Sequence, residues 1–162
     1  MRFPLRRIIL KKITVANLAT LSQQARQSPR LRANSNLHQE LVDPIQRLAI
    51  AMEPDTLILP HRHPHTWEVL TALRGRFTVL VFDNAGRVIE RACLGEDSCV
   101  VEIPAGGWHA VLSRDTGAVI FEVKHGPYVP IADADVAAWS KGRSAAELNA
   151  WYAVAQVGDE ID

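Results

Sequence analysis

The sequence predicts an all-β protein, a small antiparallel β-barrel or jelly roll, with an N-terminal helix and a short C-terminal helix. Three observations carry that prediction. Between residues 47 and 125 lie about eight short runs rich in Val, Ile, Leu, Phe and Thr, spaced as strands of a sandwich or barrel are. Turn-forming clusters separate them, among them Glu53-Pro54-Asp55, Asp83-Asn84-Ala85-Gly86, Gly95-Glu96-Asp97-Ser98 and Arg114-Asp115-Thr116-Gly117. Helical spacing of apolar residues occurs only before and after this stretch.

Taken in order, residues 1–13 read as a basic extension. Val15, Leu18, Leu21 and Ala25 then recur at helical spacing, with Thr14 as the cap, which predicts a helix over 14–27. Ser28-Pro29 stops it, because a residue before proline is pushed out of the helical region. Leu31 to Asp43 is polar and rich in Asn, and reads as ordered but irregular. The β-barrel core is expected over 44–130, with strands at 47–53, 56–62, 67–74, 76–82, 87–94, 99–103, 109–114 and 118–125. Residues 77–82 are apolar at both parities, so this strand needs cover on both faces. A helix or a second subunit would supply it, and we expect a homodimer. Ser144-Ala145-Ala146-Glu147 is a capping box that opens the C-terminal helix, expected over 144–156.

Composition narrows the function classes. The chain has 162 residues, enough for one hydrophobic core, and we expect a single domain over 1–162. Eighteen Lys+Arg balance eighteen Asp+Glu, which argues against bulk attraction to nucleic acid or an anionic membrane. The charge is uneven: residues 1–39 hold eight basic residues and no acid, and the rest nets −8. We read the arm as packing against an acidic body or a partner subunit. Cys93 and Cys99 lack metal spacing and are expected as buried or half-buried free thiols. The apolar run Ile8-Ile9-Leu10 is too short for a signal-peptide core, so a cytoplasmic address is the expectation.

The informative cluster is histidine. His61, His63 and His65 fall within five residues, Glu68 follows, and His109 stands after Pro104-Ala105-Gly106-Gly107-Trp108. In an extended chain, residues i and i+2 share a face, so His61 and His63 project side by side, as one metal ion requires. Pro64 turns the chain, Glu68 returns on the next strand, and His109 begins a later one. His63 and His65 form a competing pair, which Pro64 disfavours. Three imidazoles and a carboxylate leave coordination positions open on a six-coordinate ion, and an open position is what a catalytic metal needs. One divalent ion is expected, with Zn, Fe, Mn, Ni and Co all compatible.

A second candidate set is Glu122, Lys124 and Tyr128, expected as catalytic residues because Ile120, Glu122 and Lys124 share one strand face. Asn34, Asn36, His38, Gln46 and Arg47 are positioned to bring polar groups to the cavity. Arg62, between two inward histidines, should face outward, and Trp67 and Trp108 are candidates to wall the pocket, with aromatic packing alone an equal account of them.

His61-x-His63 followed by Glu68 and Gly75 resembles the first motif of the cupin superfamily, and Pro104-x-Gly106 followed by His109 resembles the second. Ser113 stands where the second motif often has Asn. The stretches 28–32, Asn36-Leu37-His38, 43–47, 60–64 and 122–128 are similar to the WbuC family of cupin-fold metalloproteins, over roughly residues 20–140. That resemblance implies a cupin fold, metal ligation by His61, His63, Glu68 and His109, and the setting of surface-polysaccharide metabolism. The expected function is a metal-dependent enzyme on a small polar substrate such as a sugar or sugar nucleotide, isomerase- or epimerase-like. Alternatives are a metal-dependent oxygenase or lyase, and a non-catalytic carbohydrate-binding metalloprotein.

Overall fold

A computed structural model describes residues 9–161. Arg2, Arg6 and Arg7 of the expected basic extension lie outside the described residues. Helix α1 is Val15–Gln27, capped by a reciprocal box: the Asn17 N–H donates to Thr14 Oγ1 and the Thr14 N–H to Asn17 Oδ1. Eight strands follow: β1 Arg32–Asn36, β2 Ile45–Met52, β3 Glu68–Arg74, β4 Phe77–Phe82, β5 Val88–Leu94, β6 Val100–Ile103, β7 Trp108–Ser113 and β8 Ala118–His125. Helix α2, Ala145–Val154, opens with the Ser144/Glu147 box. Its helical residues end two short of the expected boundary, where Ala155 leaves helical geometry.

The strands form two antiparallel sheets, one ordered β1-β2-β8-β3-β6 and the other β5-β4-β7. Their facing sides enclose Met52, Leu70, Phe77, Val79, Leu94, Val111 and Ile120. On the outer face of the larger sheet, Leu21 and Ala25 of α1 cover Ala49, Ala51 and Val119. On the outer face of the smaller sheet, Leu148 and Tyr152 of α2, with Ala155, cover Leu80, Phe82 and Leu112. Each fully buried side chain of this size contributes roughly 1.5–3 kcal/mol through removal from water. The two-faced strand 77–82 thus finds its second cover within the chain, and the reasoning that led from it to a homodimer does not hold.

Two expectations about strands need correction. Residues 32–36, read as irregular, are strand β1, paired from Arg32↔Met52 to Asn36↔Leu48. The unpaired edge of β2 outweighs the turn preference of the Asn side chains, so β-structure begins at 32 and not at 44. Residues 56–62, read as a strand, form an extended segment bridged only at His61, to His109 and to Val136. Pro60 has no N–H for a ladder, and side chains of α2 bind this backbone instead. Asn149 Nδ2 donates to the Thr56 carbonyl at 3.2 Å and the Tyr152 hydroxyl to the Ile58 carbonyl at 3.1 Å.

Two glycines fix the turns that the motifs need. Gly106 has φ +79°, a conformation that side-chain-bearing residues rarely adopt, and closes the Pro104–Gly107 turn through a Gly107 N–H···O=C Pro104 bond. Gly75 has φ +71°, and a Cβ there would stand 2.8 Å from that of Ala118.

Candidate metal centre

The two histidine segments are zipped by their backbones. The His61 N–H donates to the His109 carbonyl at 3.0 Å and the His109 N–H to the His61 carbonyl at 2.9 Å. Such a reciprocal antiparallel pair sets the two side chains directly opposite on one face. Two residues on, the Gly106 N–H donates to the His63 carbonyl at 2.9 Å, and His63 shares the face of His61. The rings meet with centroids 4.4 Å apart for His61–His109, 5.1 Å for His61–His63 and 5.7 Å for His63–His109. One ring nitrogen from each falls within 4.8 Å of the other two, the spacing of a candidate divalent-metal site.

Backbone carbonyls set the tautomers. His61 Nδ1 lies 2.8 Å from the Leu59 carbonyl and His109 Nδ1 3.0 Å from the Gly107 carbonyl. A carbonyl only accepts, so both Nδ1 atoms carry a proton and Nε2 is the atom each ring has left to offer a metal. This is the arrangement that orients a ligating imidazole. Burial, followed by the neighbouring His109, pushes the His61 imidazole down to about 3, so it stays neutral.

Glu68, the first residue of β3 and 4% exposed, faces this cluster. Its Oε2 lies 3.0 Å from His109 Nε2 and its Oε1 3.5 Å from His63 Nε2. Both of these ring nitrogens are buried and lack a hydrogen-bond partner. An orphaned buried nitrogen is costly, and a cation shared with the carboxylate would relieve both. The donor set of three imidazoles beside a carboxylate therefore fits a divalent ion.

Behind Glu68 stands the second expected set. Rows across the larger sheet place Lys124 opposite Glu68, and Glu122 opposite Leu70. Lys124 Nζ is 2.7 Å from Glu122 Oε1 and 3.4 Å from Glu68 Oε1. Burial and the Glu68 charge raise the Glu122 carboxyl to about 7 against the pull of Lys124. For Glu68, burial alone acts upward, but His109, His63 and Lys124 together hold it well below the usual carboxylate range. Burial lowers Lys124 and His109, yet the carboxylates outweigh it and both end above their ordinary values.

These groups open onto one cavity of about 660 Å³ between the sheets. Tyr128 stands half in solvent on its lining. Asn34, Asn36, His38 and Gln46 also line it; His38 lies outside the imidazole cluster, and its Nδ1 accepts the Arg47 backbone N–H at 2.9 Å. Arg47 itself points to Asp43 and does not line the cavity. His65 is exposed and apart from the cluster. The tryptophans are a correction: Trp67 packs on His125, and Trp108 sits under the Arg62 guanidinium at 4.6 Å in a separate hollow with Trp139. Both side chains point away from the histidine face, as does Arg62, which binds Asp135 Oδ1 at 2.9 Å. Cys93 is half-buried as expected, but Cys99 is exposed at the start of the short strand β6, and both thiols are free. Arg30 and Arg32, which the sequence reading passed over, line the cavity as well. Arg32, Asn34 and Asn36 alternate along β1, and that period of two was the available signal.

Comparison with known proteins gives a family and a fold. Residues 13–94 match the family described as Domain of unknown function (DUF6016), half of the chain, and the chain belongs to that family. The matched span carries His61, His63 and Glu68 and stops before His109. No curated protein matches the chain. Among solved structures it is similar to TT1209 from Thermus thermophilus, at 24% identity and a TM-score of 0.50, over 65% of this chain and 92% of that one. It is also similar to the SPY1581 protein of unknown function from Streptococcus pyogenes, at 16% identity and a TM-score of 0.50, over 76% and 95%. A cupin superfamily protein (DSY2733) from Desulfitobacterium hafniense DCB-2 matches at 14% identity and a TM-score of 0.46, over 58% and 76%. At such identities the likeness is one of fold. Two antiparallel sheets with a helix on each outer face make this a small β-sandwich. Among the described residues no helix is long and apolar enough to cross a membrane.

Proposed function

We propose that this DUF6016 protein is a mononuclear metalloenzyme whose ion is held by His61, His63, His109 and Glu68 and whose substrate is a small polar molecule such as a sugar or sugar nucleotide. One observation carries the reading: three imidazoles, two of them with the tautomer fixed by a backbone carbonyl, converge beside a buried carboxylate on the wall of a cavity large enough for a ligand. A divalent ion bound there supplies Lewis acidity toward a substrate oxygen. The chain's own groups do the rest. Glu122 is a buried carboxyl whose affinity for a proton suits exchange near neutral pH, and it faces the same cavity. Lys124 bridges Glu122 and Glu68 and fixes where each carboxylate points. Tyr128 offers a hydroxyl on the cavity lining, and Ile50, Leu70 and Ile120 give the cavity an apolar floor.

The test is turnover. Metal-free chain reloaded separately with Zn, Mn, Fe, Ni or Co is assayed on a panel of activated sugars. Loss of product formation in His63→Ala, with the β-rich circular dichroism spectrum unchanged, is the expected result. Full metal occupancy with no turnover of any sugar would remove the catalytic part of the reading.

A further inference from the structure

The cavity has a second polar end. Arg32 projects from β1 on the same face as Asn34 and Asn36, and Arg30 stands just before that strand; all four line the cavity that holds the imidazole cluster. Among the described residues neither guanidinium has an ion-paired or hydrogen-bonded partner. This contrasts with Lys124, the other cation of the cavity, which is matched to Glu68 and Glu122. Arg32 is also half-buried, so its charge has given up water, and the one carboxylate whose charge reaches it, Glu122, is already ion-paired with Lys124. Its pKa is lowered, by burial first and by Arg30 second. Two like charges brought together with no carboxylate bonded to either are stabilised by an anion between them.

The charge count agrees. With both cavity carboxylates taken as ionised, Arg30, Arg32 and Lys124 outnumber Glu68 and Glu122 by three to two, and a divalent ion would widen the excess. Between the two polar ends lies the apolar floor of Leu48, Ile50 and Met52, which offers a neutral or cationic ligand nothing to balance that excess.

We propose that Arg32, assisted by Arg30, forms an anion subsite, so that the substrate carries a carboxylate or phosphate group held at the β1 end of the cavity while another part of it faces the imidazole cluster. A planar guanidinium meets either group through two parallel N–H···O bonds, and the shared chemistry is a tetrahedral or planar oxyanion. The second half of the statement rests on the metal-centre reading above; the first does not.

Calorimetric titration of the full chain, metal-loaded and after chelation, separates the two. The probes are inorganic phosphate and acetate, which distinguish the oxyanion types, and glycerol, which is uncharged. We expect one of the anions to bind the chelated chain, and glycerol not to. Arg32→Met should weaken that binding at least about tenfold, as loss of a charge-assisted bidentate pair does. Arg30→Met with Arg32→Met should abolish it, with metal content unchanged in both variants. Binding undiminished in Arg32→Met, or no binding of either anion to the unsubstituted chain, overturns the subsite. An unsubstituted chain that binds the anion through Arg32 but takes up no metal overturns the metal reading and leaves the subsite standing.

Discussion

The two polar ends of the cavity are built on opposite principles. At the histidine end two of the three imidazoles are restrained. Backbone carbonyls at Leu59 and Gly107 fix the rings of His61 and His109, and a reciprocal backbone pair fixes the two segments to each other. At the β1 end the side chains are long, and the two arginines are tied to no partner among the described residues. Rigid placement suits a small spherical ion, whose ligands must sit within tenths of an ångström. Free arginines suit a group that arrives and leaves. The difference teaches that one cavity can combine a site shaped before its ligand binds with one shaped by it.

The largest effect that would break this comparison is at the rigid end. His61→Ala combined with His109→Ala should leave the purified chain without bound metal by elemental analysis, while the sandwich still folds. Metal retained at full occupancy would show that the imidazole cluster is not the site.

A smaller effect sharpens the electrostatics between the ends. The Glu122 carboxyl sits at about 7, raised from the usual 4.5 by burial first and Glu68 second. A folded-state value above the unfolded one contributes stability that is fully present below about pH 4.5 and lost as pH rises through about 7. Metal-free Glu122→Gln should lack this dependence, so its melting temperature relative to the parent chain should rise from pH 5 to pH 8. A constant difference across that range would assign the raised value elsewhere.

The smallest effect touches neither end. Ser144→Ala removes the acceptor for the Glu147 N–H at the start of α2 and should cost about 1 kcal/mol in denaturant unfolding. Metal content should not change. If it did, α2 would be coupled to the site through Tyr152 and the Ile58 carbonyl.

Legibility in the sequence follows the same division. The histidine end was readable because its chemistry is written in residue types at strict spacings: His61 and His63 on one face, the Gly106 turn before His109. Both helices were readable because each carries its own cap, Thr14 with Asn17 and Ser144 with Glu147. The β1 end was not, because Asn34 and Asn36 have turn chemistry locally and become strand residues only through the partner β2. Leu57 to Leu59 failed for the converse reason: apolar content announced a strand, while the hydrogen bonds that hold the segment come from Asn149 and Tyr152, some ninety residues later. Trp67 and Trp108 neighbour ligands in the chain, yet adjacent residues of an extended segment face opposite ways, and that rule already argued against a pocket role.

The segment that carries His61 and Arg62 is gripped from its far side as well. Val136 bridges His61, the Arg62 N–H donates to the Asp135 carbonyl, and the Ala137 N–H to the Pro60 carbonyl. A fragment that stopped at the last strand would keep every imidazole and both carboxylates but lose this clasp. Transplanting the centre into another scaffold therefore means carrying over the 133–137 loop together with the residues that touch the ion.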